Sequence, residues 1–88
     1  MRTHILKTDK QVFELSWMGM KPFEIRKDDR NYLVGDILIL KETEWDGASM
    51  AQGSPLVYTD RQITRRITSK VTGYGLQPGW CVLGIEPI

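Results

Sequence analysis

Lys21, Glu24 and Arg26 fall within six residues of one another and have the types and spacing of a polar binding site. Lysine and arginine can hold a phosphate, arginine through two parallel hydrogen bonds, and a carboxylate between them can accept a base's exocyclic amine or orient the arginine. Lys27 and Arg30 extend the basic run for further phosphate contacts. The same Lys–Glu pair is also equipped for general acid–base work in a dry site, with Lys21 as base and Glu24 beside it. The competing reading is an exposed same-face ion pair, worth about 0–1 kcal/mol.

The elements around these residues decide whether they converge. His4 to Lys7 reads as a short strand, and His4 and Lys7 join the candidate site because this strand leads into the next helix. Thr8 has the chemistry of a helix N-cap, with Gln11 three residues on completing a capping box. Val12, Phe13, Leu15 and Trp17 recur at roughly helical spacing and Gly19 is a natural stop, so a helix is expected over Asp9 to Met18. From Lys21 to Arg26 the period changes to two. Phe23 and Ile25 then share one face and Glu24 and Arg26 the other, and Lys21 joins the latter pair only if the strand starts irregularly at Pro22.

Residues 27–31 are turn-rich, and Gly35-Asp36 introduces an apolar strand over Ile37 to Leu40. Residues 43–56, rich in glycine and small residues, are expected to form a long mobile loop that carries Trp45. Tyr58 to Thr72 alternates as one long strand, with Ile63, Ile67 and Val71 on one face and Thr64, Arg66, Thr68 and Lys70 on the other. Arg65, Arg66 and Lys70 read as a solvated face, and Trp17 and Trp80 as core. A turn region over residues 73–79 precedes a last apolar strand, Trp80 to Ile85. Tyr58, Thr59 and Arg61, at the start of the long strand, offer stacking and polar contacts to a ligand.

About five strands and one helix in 88 residues predict a single α+β, mainly β domain over residues 1–88. A small barrel closes the edges that so short a sheet would expose. The net charge of +1 is too small to imply strong non-specific attraction to a polyanion, although basic residues cluster at 21–30 and 61–70. One Cys, expected to be a buried apolar residue, and one His argue against a four-ligand zinc site, and no metal or cofactor is expected. No apolar run approaches the roughly 20 residues of a membrane helix, so the expected setting is the cytoplasm.

Taken in order, several segments resemble the ASCH domain, a branch of the PUA superfamily of small β-barrels, and within it a small bacterial and phage family. They are His4-Ile5-Leu6-Lys7, Gly19-Met20-Lys21-Pro22-Phe23-Glu24-Ile25-Arg26, Lys27-Asp28-Asp29-Arg30 and Val34-Gly35-Asp36-Ile37-Leu38. Tyr58-Thr59-Asp60-Arg61, Gly73-Tyr74-Gly75-Leu76 and Trp80-Cys81-Val82-Leu83-Gly84-Ile85 complete the likeness. Asp60 departs from the usual glycine of that family's Tyr-Thr-Gly-Arg.

The resemblance implies a PUA-like barrel of five to six strands with one long N-terminal helix. It also implies RNA or nucleotide binding in a cleft lined by Lys21, Glu24 and Arg26. Some ASCH proteins are amidohydrolases on acetylcytidine, with a threonine where this chain has Glu24. The resemblance therefore favours binding, and an amidohydrolase would need Thr8 or Thr59 as nucleophile. A protein partner engaged through the Trp45 loop is a third reading, on which composition is neutral.

Overall fold

A computed structural model describes residues 1–88. Its elements, in chain order, are β1 (Thr3–Thr8), α1 (Lys10–Trp17), β2 (Phe23–Lys27), β3 (Ile37–Thr43), α2 (Gly47–Ala51), β4 (Tyr58–Val71) and β5 (Trp80–Pro87). The five strands form one sheet in the order β1-β3-β4-β5-β2. β1 and β3 run parallel from Thr3 opposite Ile37 to Thr8 opposite Glu42, and every other pair is antiparallel.

The sheet curls through β4. This 14-residue strand pairs with β3 along its first part and with β5 along its second, and its register slips twice. Between the pairs Lys41–Gln62 and Thr43–Tyr58, β4 carries extra residues around Asp60, which adopts φ +75°. The left-handed conformation of a glycine is thus kept although the residue is an aspartate. A second slip, between Ile67 and Ser69, lies opposite Gly84, where an added Cβ would collide with the Ser69 and Thr68 hydroxyl oxygens. Bulges bend and twist the strand that carries them, and two in one strand roll the sheet around its core.

The second slip also reverses side-chain parity. Ile63 and Ile67 are buried as alternation predicts, but Val71 is exposed and Lys70 turns inward, its ammonium donating to Asp28 Oδ1 at 2.9 Å and to the Tyr32 carbonyl at 3.1 Å. Arg65 shares the face of Ile63 and Ile67 and donates to the Ser16 carbonyl at 3.3 Å. Of the three residues assigned to a solvated face, only Arg66 remains there, and it meets Glu86 at 3.4 Å.

Ten side chains fill the interior: Leu6, Phe13, Tyr32, Leu38, Leu40, Ile63, Ile67, Cys81, Leu83 and Ile85. Tyr32, from the β2–β3 connection, is the largest fully buried side chain. Trp17 is not core: it is 47% exposed and lies under the Arg61 guanidinium.

The expected long N-terminal helix is short. α1 has eight residues, because Thr8 is committed to β1 as its last inward residue and Asp9 takes the N-cap position without a side-chain cap. Asp9 Oδ1 instead accepts from the Gly47 N–H at 3.0 Å. The stop is as expected, with Gly19 at φ +76°, the Gly19 N–H bonded to Ser16 O and the Met20 N–H to Leu15 O, a Schellman end. The segment 43–56 also departs from a structureless loop. It holds α2, capped by Asp46, whose carboxylate accepts from the Ser49 N–H at 2.7 Å. No helix is long and apolar enough to cross a membrane.

The sheet rolls into a half-barrel and does not close. β1 and β2, its two edges, face one another without forming a ladder. Arginine side chains span the seam between them.

Candidate functional site

Glu24 lies at the base of this seam. Strand alternation turns it inward from β2, between exposed Phe23 and Ile25, and it is 2% exposed. A buried carboxylate needs partners, and it has two cations. The Lys21 ammonium contacts Oε2, while Arg26 Nε and Nη2 reach Oε1 at 3.0 and 2.8 Å. Lys21 also donates to the Phe23 carbonyl at 2.8 Å. β2 begins only at Phe23, so Lys21 escapes strict alternation and joins the Glu24 face, as an irregular start at Pro22 requires.

Arg26 has a second task. Its Nη1 donates to the Lys7 carbonyl at 3.0 Å and its Nη2 to the Thr8 hydroxyl at 3.1 Å, both on β1. Arg30 repeats the device one step along, donating to the Ile5 carbonyl at 3.1 Å. Two guanidinium groups thus replace the absent β1–β2 ladder.

Two grooves follow the seam on either side of Ile25 and Arg26. One is lined by Lys7, Asp9, Val12, Lys21 and Glu24, the other by Leu6, Lys27, Asp29, Arg30, Tyr32 and Trp80. Lys21 and Arg26 are engaged by Glu24, whereas Lys7 and Lys27 are exposed and belong to no ion pair. Arg30 is exposed too, with one nitrogen tied to Ile5. The rim of the seam therefore carries the free or partly free cations Lys7, Lys27 and Arg30, interleaved with the exposed carboxylates of Asp9 and Asp29, around a neutralised base.

The remaining residues singled out from sequence lie elsewhere. His4 is buried about 13 Å from Thr8 along β1, taking roughly 3.3 Å per residue. Its Nε2 sits 2.9 Å from Asp36 Oδ2 and its ring meets Tyr32 edge-on at 4.8 Å. Asp36 also accepts from the Arg2 and Leu33 N–H groups, both at 3.1 Å. The His4 hydrogen bond foremost, then those from the backbone, hold the Asp36 carboxyl down at about 2.

Thr59 and Arg61 belong to a third cluster, on the inward side of β4. Both bind Glu42, a buried residue of β3: the Thr59 hydroxyl donates to Oε1 at 2.6 Å, and Arg61 reaches Oε1 at 3.0 Å and Oε2 at 2.7 Å. Arg61 also meets Glu14 of α1 at 2.8 Å and stacks over the Phe13 and Trp17 rings. The Arg61 hydrogen bonds hold the Glu42 carboxyl below its ordinary range against the cost of burial, and raise the Arg61 guanidinium in turn. This cluster fastens α1 to the sheet. Thr8, opposite Glu42 in register, separates it from the Glu24 cluster. Tyr58 is farther off, at the start of β4 with the Lys41 ammonium 4.5 Å from its ring centre.

Two buried carboxylates, Glu42 and Asp36, were not among the residues singled out from sequence. The signal for both was present: Asp36, Leu38, Leu40 and Glu42 share one parity, and all four are buried.

The fold and site define a small half-barrel whose open seam carries a buried carboxylate between two cations. The chain belongs to the family described as a domain of unknown function, DUF3850, whose model matches residues 3–85. It is also 42% identical over 67 residues to a protein of Escherichia phage P2, described as an uncharacterized 12.9 kDa protein in the GpA 3′ region. That match takes in 76% of this chain and 52% of the phage protein, so the chain spans about half the length of its phage relative.

Proposed function

We propose that the seam between β1 and β2 binds single-stranded RNA or a nucleotide. The observation that carries this reading is the division of charge. Glu24 is satisfied from within by Lys21 and Arg26, which leaves Lys7, Lys27 and Arg30 turned to solvent along the rim. Such a rim suits phosphates. The likeness of the motif to ASCH domains within the PUA superfamily supports the same reading.

Hydrolysis of an acylated nucleoside is the weaker reading. A lysine base needs a hydroxyl within reach, and Lys21 is engaged by Glu24 and the Phe23 carbonyl. Thr8 is buried with its hydroxyl on Arg26, and the Thr59 hydroxyl is bound to Glu42.

The test is a titration of labelled single-stranded RNA followed by fluorescence anisotropy. Binding at low salt is expected, weakening with a log–log slope of about −1.5 to −2 if two to three phosphates are held. The double variant Lys27→Glu, Arg30→Glu should lose at least tenfold in affinity. Absence of binding to the wild-type chain at low salt would overturn the proposal.

A further inference from the structure

We infer that the turn at Gly73–Leu76 forms a second, stacking subsite, in which Tyr74 covers a base next to the nucleotide held in the seam. This inference rests on the RNA-binding reading above. Tyr74 has φ +51° between Gly73 at +77° and Gly75 at +90°, and the turn is closed by the Leu76 N–H bonded to Gly73 O at 3.0 Å. A turn with two successive left-handed residues calls for asparagine or glycine at the first of them. A bulky side chain there is unfavourable by about 1–2 kcal/mol. The ring recovers none of that cost from packing, since Tyr74 is 97% exposed. Neither the turn nor the core accounts for a tyrosine at this position, and such outliers gather at ligand sites.

The surroundings name the ligand. Beside the turn lies a depression of about 320 Å³ lined by Ile25, Gly75, Leu76, Gln77 and Trp80. Ile25 and Trp80 also line the groove that holds Lys27 and Arg30, so this apolar shelf and the cationic rim are continuous. The Asp28 N–H bonded to Gly79 O at 2.8 Å ties the far end of the 73–79 segment to the end of β2. A flat apolar group joined to an anion fits such a site, and successive nucleotides of a single strand supply that arrangement. Aromatic side chains next to a basic groove hold single strands in this way.

The variant Tyr74→Asn tests the inference, because asparagine suits the turn and the fold should keep or gain thermal stability. For a single-stranded hexauridylate, the affinity should fall about 5- to 150-fold, the range of one lost stack. Uridine monophosphate should bind both proteins alike, and Tyr74→Phe should retain hexauridylate affinity. Hexauridylate binding unchanged in Tyr74→Asn but lost in Lys27→Glu, Arg30→Glu would overturn the subsite and leave the seam reading intact. Failure of the wild-type chain to bind either probe would overturn both. An equal loss for the monophosphate and the hexamer would also overturn the subsite, placing Tyr74 in the seam site itself.

Discussion

Two carboxylates at the residue scale, Glu24 and Asp36, hold the seam and the β1–β3 corner by different chemistry. Glu24 is a buried carboxylate whose removal leaves Lys21 and Arg26 without the partner they share. Breaking such an arrangement from the centre is costly. Glu24→Gln should lower unfolding free energy by about 2–4 kcal/mol, read as a shift in the urea midpoint at unchanged m-value. A change below about 0.5 kcal/mol would mark the pair as surface-like. Asp36 adds pH dependence. Its pKa in the fold, about 2, lies below its value of 3.8 in the open chain, so its stabilisation is complete above about pH 4. That stabilisation is lost as pH falls from there toward 2. Urea midpoints measured between pH 2 and 5 should drop more steeply for the wild-type chain than for Asp36→Asn. The variant should also be about 2–3 kcal/mol less stable at pH 7, because two backbone donors and His4 lose a charged acceptor.

At the scale of elements, the seam has side chains where the rest of the sheet has ladders. Arg26 ties β2 to β1 through Lys7 and Thr8, and Arg30 through Ile5. Arg26→Met keeps a long apolar stem but severs the first link. Amide hydrogen exchange in β1 should then accelerate by an order of magnitude or more, while β4 and β5 stay protected. Equal acceleration throughout would mean that the link stabilises the whole molecule rather than the edge. How far these elements could be read from sequence depended on parity. Gly19 after a helical run announced a helix end, and Phe23–Ile25 against Glu24–Arg26 announced the faces of β2. The meeting of Glu24 and Arg26 was legible for that reason, whereas that of Lys21 turned on the irregular start at Pro22. The β4 bulges were not, because a bulge appears in sequence as unbroken alternation while its partner strand fixes the slip. Lys70 and Val71 were accordingly assigned to the wrong faces. Thr8 likewise looked like a cap until β3 claimed it as a strand residue.

As a whole molecule, the chain is a half-barrel plugged by Phe13 at one end and pinned there by Arg61 and Glu42. The basic segment over residues 21–30 carries the seam. That over 61–70 is largely consumed internally, through Arg61 on Glu42, Arg65 on α1 and Lys70 on Asp28. Lys and Arg are equally frequent in the two segments, but 21–30 also holds Glu24, Asp28 and Asp29, and only the fold shows which cations stay open to solvent. It also separates His4, Thr59 and Arg61 from the seam, since strand order rather than sequence distance sets which residues meet. The seam is the proposed nucleic-acid surface. The most direct test is to titrate single-stranded RNA into the isotopically labelled chain and follow backbone amide shifts. The largest shifts are expected in residues 5–8 and 21–30, with little change in residues 58–66. Shifts confined to the 58–66 region, or none at low salt, would contradict this assignment.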